Sequence, residues 1–188
     1  MSPQISVIIT TYNRAAMVTE AVESVLAQEM TDFELVVVDD GSTDETAKGL
    51  SIFDSRLKYY QQENAGVSAA RNRGLEVSTA PLVAFLDSDD LWHPSKLHLQ
   101  HNYLKEHPEI HLCQTEEIWW RKGRQVSPRK HHRKPSGDIF RRSLDLCLVS
   151  PSAVMMRRKL FEMVGYFDED LPAAEDYDLW LRVSVEHA

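Results

Sequence analysis

Two hydrophobic periods alternate along the first ninety residues, and this alternation limits the possible folds more than any other feature. Continuous apolar runs rich in β-branched residues are typical of buried strands; they occupy residues 5–10, 33–38, 57–61 and 82–86. Between them, apolar side chains recur at helical spacing over 15–28, 45–53 and 67–77. Because strands that are apolar throughout belong to sheets covered on both faces, the pattern predicts an α/β fold: a three-layer sandwich with a mostly parallel central sheet.

The second half of the chain has a less regular pattern. The predicted elements are helices over 94–105, 139–146 and 159–164 and from Glu175 onward, a strand or hairpin arm over 110–120, a strand over 152–156, and a mobile loop over 122–137. Nothing in the composition divides the chain, so we expect a single domain over residues 1–188.

The chain is acidic overall, but its charge is divided unevenly. Lys and Arg number 21 and Asp and Glu 29, which gives a formal net charge of −8. The segment 121–142 holds nine Lys or Arg and one acid, so it carries +8 and the remainder carries −16. An apolar fraction of 43% excludes a disordered chain, and the net negative charge argues against nucleic acid as a partner.

Two cysteines, Cys113 and Cys147, are too few for a disulfide framework. They have no metal-binding spacing with His111, His131 or His132, so we expect no zinc site there. We find no apolar run of the roughly 18 residues that a membrane span needs and no basic, apolar leader at the N-terminus. The sequence therefore predicts a cytoplasmic protein.

Acidic residues follow the predicted strands at their carboxyl ends, where parallel sheets bind ligands. Asp87, Asp89 and Asp90 come directly after the strand at 82–86. Carboxylates this close repel one another unless a cation relieves them, and oxygen ligands without Cys or His favour Mg²⁺ or Mn²⁺. Alternation along an extended segment lets Asp87 and Asp89 converge on one ion. The alternative is an acidic cap for the helix at 94–105.

Three further motifs have both a functional and a structural interpretation. Asp39 and Asp40 could accept hydrogen bonds from a ribose or base, or could form an ordinary Asp-Gly turn. Arg71 lies in a helix that opens with small residues, where it could reach a phosphate or face solvent. Glu175 and Asp176 could supply a general base, or could only favour a helix start electrostatically. No dinucleotide fingerprint or P-loop motif is present.

Five motifs stand in order along nearly the whole chain. They are ISVIITTYNR at 5–14, VVVDDGSTDET at 36–46, NAGVSAARNRG at 64–74, FLDSDDLW at 85–92 and GYFDEDLPAAEDYDLWLR at 165–182. In order and spacing they closely resemble the motifs of the inverting family 2 glycosyltransferases. Each motif is weak alone, but five in this order are highly specific.

The resemblance implies a GT-A fold, which is Rossmann-like, with a nucleotide-sugar-binding half over 1–92 and an acceptor half over 93–188. It implies a nucleoside-diphosphate sugar donor, most often a UDP-sugar, and a carbohydrate or lipid-linked acceptor. Matched to the family's motifs, the nucleotide-binding residues are Thr11, Tyr12, Asn13, Asp39, Asp40, Arg71, Asp87 and Ser88.

The resemblance also implies the metal ligands and the catalytic base. Asp89, with Asp87, would hold Mg²⁺ or Mn²⁺, and Asp176 would take the proton of the acceptor hydroxyl with Glu175 in support. The reaction would be one displacement that inverts the anomeric centre, without a covalent nucleophile. Family members commonly add a ligand, often a His, from beyond this helix. Here His187 is too close to Asp176 for that role, so we expect the chain to be truncated at its C-terminal end.

Alternative interpretations remain open at this stage. The chain could be a non-catalytic nucleotide-sugar-binding module; a nucleotidyltransferase is less well supported, since no triphosphate loop follows the first strand. The basic segment 121–142 could be a solvated acceptor-side loop, a lid over the diphosphate, or a contact with an anionic membrane surface or polyanionic acceptor. Trp119 and Trp120 could pack under that segment or stack on an acceptor sugar.

Overall fold

The structure, a computed structural model, describes residues 2–53, 55–126 and 132–186. Part of the predicted basic loop, residues 127–131 with His131, and His187 lie outside the described residues. In chain order the elements are β1 (Ile5–Thr11), α1 (Ala15–Leu26), β2 (Phe33–Asp39), α2 (Thr46–Leu50), β3 (Lys58–Gln61), α3 (Val67–Val77), β4 (Leu82–Asp87), α4 (Lys96–Glu106), β5 (Leu112–Gln114), β6 (Trp119–Arg121), β7 (Arg124–Val126), α5 (Phe140–Ser143), β8 (Val154–Arg157), α6 (Lys159–Val164) and α7 (Glu175–Glu186).

A six-stranded sheet with the strand order β3-β2-β1-β4-β8-β5 forms the centre of the molecule. The first four of these strands are parallel, whereas β8 runs antiparallel to both its neighbours. Strand order reverses at β1, so the carboxyl ends of β1 and β4 flank the topological switch point. The register sets Thr11 beside Asp39 and Thr10 beside Asp87, which brings the polar strand ends to one edge.

Helices cover both faces of this sheet, as the sequence predicts. Side chains alternate along β1, so Val7 and Ile9 pack with α1, α2 and α4, while Ile8 packs with α3, α6 and α7. Phe85 in β4 meets Phe161 and Phe167 edge to face, with ring centroids 6.2 and 5.4 Å away, and so joins the sheet to the α6 region. Within the described ranges, no helix is both long and apolar enough to cross a bilayer.

The second half departs from expectation in one place that bears on function. The expected strand or hairpin arm over 110–120 is two strands, β5 and β6, of which β6 is the arm of a hairpin with β7. The loop expected from residue 122 is therefore wrong for Arg124–Val126. Lys122 and Gly123 both have positive φ, 51° and 70°, as in a two-residue turn whose twist suits a hairpin.

Candidate active site

A cleft of about 540 Å³ opens at the carboxyl ends of β1 and β4. Open α/β sheets bind their ligands at this kind of switch point. Of the residues assigned to the site from the sequence, those that line the cleft are Thr11, Tyr12, Asp40, Arg71, Asp87, Ser88 and Asp89. Loops from different parts of the chain thus converge as the strand pattern predicts.

Thr11, at the end of β1, has a buried hydroxyl without a hydrogen-bond partner among the described residues. The residue as a whole is only 4% exposed. A buried hydroxyl without a partner costs free energy, about 1–3 kcal/mol. Because Thr11 lines the cleft, a hydrogen-bonding ligand there would remove this cost.

Asp40 organises the loop that leads into α3. Its carboxylate accepts hydrogen bonds from the amides of Ala65 and Gly66 at 2.9 and 2.8 Å and from Gln62 Nε2 at 2.8 Å. Gly66 has a φ of 93°, a conformation that favours glycine. The carboxylate therefore fixes one wall of the cleft, where α3 begins.

Asn13 and Asp39 are not among the residues that line the cleft. Asn13, with φ of 52°, accepts hydrogen bonds through Oδ1 from the amides of Thr43 and Asp44, so it holds the loop after β2. Asp39 is fully buried and accepts hydrogen bonds from the Ser42 amide at 2.8 Å and from a tyrosine hydroxyl. Their side chains shape the loop, and direct contact with a nucleotide stays a prediction.

Arg71 is buried between the two acidic motifs and joins them. Its guanidinium donates to Asp87 Oδ1 at 2.9 Å and to Glu175 Oε1 at 2.6 Å. The Arg71 side chain is 5% exposed, and its guanidinium lies 5.2 Å from the centre of the Phe167 ring. Both guanidinium contacts are to carboxylates, so Arg71 acts here as the link between β4 and α7.

The segment after β4 carries more negative charge than the protein neutralises. Asp89 pairs with Arg14 at 2.8 Å, but both side chains are about half exposed. Burial raises the pKa of Asp90, and repulsion from Asp87 and Asp89 raises it further, against a hydrogen bond from Ser152. Such a site attracts a cation.

The oxygen ligands in this segment fit a divalent cation of the Mg²⁺ type. Among the described residues, no three His, Cys, Asp or Glu side chains form a ready metal cage. Mg²⁺ needs no such cage, since it keeps several waters and binds one or two carboxylates together with substrate phosphates. Asp87 and Asp89, both on the cleft, supply that number of carboxylates.

Asp176 stands at the first turn of α7, next to Glu175. Burial raises the pKa of Asp176, and repulsion from the carboxylates of Glu175 and Asp87 raises it further. A hydrogen bond from the Tyr177 amide and the charge of Arg71 act in the opposite direction. A carboxyl with a raised pKa is a stronger base than an ordinary aspartate, which suits general-base catalysis.

Ser152 is a contributor to the site that the sequence does not reveal. Its hydroxyl accepts a hydrogen bond from the Asp87 amide at 3.0 Å, and its carbonyl accepts one from Trp92 Nε1 at 2.8 Å. These bonds hold the segment after β4 in place. Ser152 precedes β8, and no local pattern indicates that this strand inserts beside β4.

The switch-point cleft, with its acidic rim and buried arginine, defines a nucleotide-binding type of α/β domain. A family profile described as glycosyl transferase family 2 matches residues 6–165. An uncharacterized glycosyltransferase of Rickettsia felis is 34% identical over 187 residues, which cover 98% of this chain and 31% of that protein. The chain therefore belongs to glycosyltransferase family 2.

Two further relatives agree with this assignment. UDP-Glc:alpha-D-GlcNAc-diphosphoundecaprenol beta-1,3-glucosyltransferase WfgD of Escherichia coli is 32% identical over 184 residues, covering 95% of this chain and 69% of WfgD. The crystal structure of S. aureus TarS 1-349 in complex with UDP-GlcNAc superposes with a TM-score of 0.81 at 28% identity, covering 98% of this chain and 54% of that one. The fold is therefore GT-A, as predicted.

Proposed function

We propose that this domain transfers a sugar from a nucleoside-diphosphate sugar, by its motifs a UDP-sugar, to an acceptor hydroxyl with inversion of the anomeric centre. The observation that carries the proposal is the pair of contacts of Arg71, which joins Asp87 of the donor cleft to Glu175. Through them the donor-side acids and the candidate base Asp176 belong to one site. The UDP-GlcNAc complex of TarS and the UDP-Glc specificity of WfgD support a UDP-sugar donor.

The donor would occupy the cleft at the ends of β1 and β4. Thr11 offers its unpartnered hydroxyl to the nucleotide, and Asp40 holds the wall of the cleft beside it. Asp89, with Asp87, would hold Mg²⁺ or Mn²⁺. When bound, the cation supplies Lewis-acid stabilisation of the charge that develops on the leaving diphosphate.

Asp176 is the proposed general base for the transfer. It accepts the proton of the acceptor hydroxyl as that oxygen bonds to the anomeric carbon, and the bond from this carbon to the diphosphate oxygen breaks. The nucleoside diphosphate departs with the electron pair on the opposite face, so one displacement inverts the centre. Glu175, held by Arg71, keeps the start of α7 in position.

UDP binding with and without Mn²⁺ tests the donor site. UDP at about 100 times its Kd adds about 2.7 kcal/mol of stability, which raises Tm by about 5–10 °C for a chain of this length. We expect Asp89→Ala to remove the Mn²⁺ dependence of this shift, and the exposed Asp145→Ala control to retain it. An unchanged metal response in Asp89→Ala would place the cation elsewhere.

Hydrolysis of a UDP-sugar, in which water replaces the acceptor, tests the base. Asp176→Asn should abolish hydrolysis and transfer while the UDP affinity stays near that of the wild type. Asp178→Asn, on the same helix, loses only an ion pair with Arg182 and serves as the matched control. Wild-type UDP binding without hydrolysis or transfer would instead favour a non-catalytic nucleotide-sugar-binding module.

The basic segment 121–142 supports a lipid-linked acceptor and peripheral contact with a membrane. Arg121, Lys122, Arg124, Arg141 and Arg142 are exposed, and basic residues near an anionic surface contribute about 1 kcal/mol each. WfgD acts on a diphosphoundecaprenol-linked sugar. Sedimentation with vesicles should show salt-sensitive binding to anionic lipid and none to neutral lipid; equal binding to both would refute the electrostatic contact.

A further inference from the structure

A second, smaller cavity of about 170 Å³ adjoins the candidate base. Asp176 forms part of its wall, and further polar side chains there come from Glu117, His132, Lys134 and Ser150. Trp119 and Cys147 also line the cavity. Apart from Asp176, none of these residues belongs to a motif shared with the family, so neither the resemblance nor the donor cleft accounts for them.

A hydrogen-bonded cluster organises this cavity around one carboxylate. Glu117 receives the Lys134 ammonium at 2.8 Å, the Trp119 indole N–H at 2.9 Å, and the Ser150 hydroxyl. Lys134 also donates to the Ser150 hydroxyl oxygen at 2.7 Å. Burial raises the pKa of Glu117, but these hydrogen bonds outweigh it and the net shift is downward. The Glu117 carboxylate is therefore ionised and held in place before any ligand arrives.

The chemistry of the cluster selects an uncharged polyhydroxylated ring. Glu117 and Lys134 cancel each other's charge, which leaves Asp176 as the excess negative charge on the cavity wall. A phosphate or carboxylate at this position would be repelled by Asp176, whereas sugar hydroxyls can donate to carboxylates and accept from the ammonium. The cavity of about 170 Å³ is much smaller than the donor cleft of about 540 Å³, which suits one ring rather than a chain.

The β6–β7 hairpin contributes one of its two tryptophans, Trp119, to the cavity. Side chains alternate along β6, so Trp119 and Trp120 point to opposite faces. Trp119 lines the cavity and is 37% exposed, whereas Trp120 is 67% exposed and is not part of the lining. The centroid of the Trp119 ring lies 4.9 Å from that of His132, so the two rings together form an aromatic wall for the sugar, and Trp120 is the control beside it.

We propose that the cavity formed by Glu117, Trp119, Lys134 and Ser150 is the acceptor subsite and binds one neutral pyranose ring, with a hydroxyl directed to Asp176. The inference rests on the proposed function, since it assigns the acceptor of that same reaction. It extends the function by naming the acceptor's chemical class and the residues that select it.

The first test compares Trp119→Leu with Trp120→Leu in sugar transfer. The wild type is given UDP-glucose or UDP-GlcNAc, whichever it hydrolyses faster, with the methyl glycosides of glucose, galactose, mannose and N-acetylglucosamine as acceptor probes. Trp119→Leu should lower the ratio of transfer to hydrolysis about tenfold at subsaturating acceptor, and Trp120→Leu should leave the ratio unchanged. Equal effects of the two substitutions would overturn the subsite.

A second measurement, independent of activity, uses the exposed thiol in the cavity. Alkylation of Cys147 by iodoacetamide, followed by peptide mass spectrometry, should slow when one of the methyl glycosides is present. Burial raises the pKa of Cys147, so the reaction is followed at alkaline pH. Cys113 lies outside the cavity and provides an internal control: burial raises its pKa to about 11, and its slower alkylation should be the same with and without a glycoside. Lys134→Met should abolish the protection, which keeps the proposal testable if Trp119→Leu does not fold.

The outcomes separate the two proposals. If the wild type neither hydrolyses a UDP-sugar nor transfers its sugar, the proposed function fails. If hydrolysis and its dependence on Asp176 are present, but glycerol 3-phosphate protects Cys147 and the glycosides do not, the acceptor is anionic and the neutral subsite is wrong. Protection by a glycoside that is lost in Lys134→Met and retained in Trp120→Leu supports it.

Discussion

Replacing Arg71 by methionine removes the charge that joins the two acidic motifs while leaving a side chain of similar length. Arg71 is 5% exposed and Glu175 is 12% exposed, so the substitution leaves a buried carboxylate without its partner. Breaking a buried ion pair in this way costs about 3–5 kcal/mol. Asp87 is 35% exposed and adds little, since solvent-screened pairs are worth about 0.2–1 kcal/mol.

We therefore expect Arg71→Met to lower the free energy of unfolding by about 3 kcal/mol. This is the lower end of the range for a broken buried ion pair, because the methionine side chain can still pack against Phe167. For a chain of 188 residues this corresponds to a Tm lower by about 6–12 °C. Urea unfolding followed by circular dichroism measures the change. Arg73→Met is the matched control: it lies on the same helix, and its half-exposed pair with Glu76 should contribute within about 0.5 kcal/mol.

A double-mutant cycle separates the ion pair from general damage to α3. Once Glu175→Gln has removed the charge, Arg71→Met should cost at least about 1 kcal/mol less than it does in the wild type. Two results would contradict the stabilising role of the buried link between β4 and α7. One is a free energy of unfolding of Arg71→Met within about 1 kcal/mol of that of the wild type, and the other is additivity of the two substitutions.

Three further predictions concern stability. Burial alone raises the pKa of Glu34, but hydrogen bonds from an ammonium, an amide and a hydroxyl lower it to about 2. The free energy of unfolding of the wild type should therefore exceed that of Glu34→Gln by about 2 kcal/mol at pH 7. Urea unfolding at a series of pH values should show this difference vanish as the pH falls from about 4.5 to 2. Burial lowers the pKa of Lys96 to about 7, so the unfolded chain binds the ammonium proton of Lys96 more tightly than the folded chain does. The free energy of unfolding of the wild type relative to Lys96→Met should therefore rise between pH 7 and about 10.5. A difference that stays constant with pH would contradict the lowered pKa. In Gly74→Ala the new Cβ would clash with Ile8 Cγ2, which should lower Tm by the equivalent of about 1–3 kcal/mol. Gly49→Ala, whose nearest contact is at 3.3 Å, is the control and should change Tm far less.

The first half of the chain was predictable because each of its strands carries its own signal. The apolar runs locate β1, β2 and β4 to within one residue, and parallel pairing then brings their polar ends together at one edge. Asp87 and Arg71 thus reach the same cleft without any long-range information in the sequence. This part of the fold follows from local patterns and from the rule that ligands bind at the switch point.

The second half of the chain was less predictable because its arrangement depends on contacts between distant residues. The β6–β7 hairpin arises from a Lys122-Gly123 turn in a stretch whose charge and prolines favoured a loop. Ser152 reaches Asp87 only because β8 inserts antiparallel beside β4. The ion pair between Lys134 and Glu117 joins segments on either side of the hairpin, and neither residue has a motif around it.

The link made by Arg71 also sets the order in which the site can form during synthesis. Its two partners lie 16 and 104 positions farther along the chain. At translation rates of about 5–20 residues per second, the ribosome makes Glu175 roughly 5–20 s after Arg71. The first ninety residues can collapse in that interval with the arginine bonded to Asp87 alone. The helix α7, which carries the proposed base, docks last, so under the proposed function a nascent chain would bind nucleotide before it could transfer sugar.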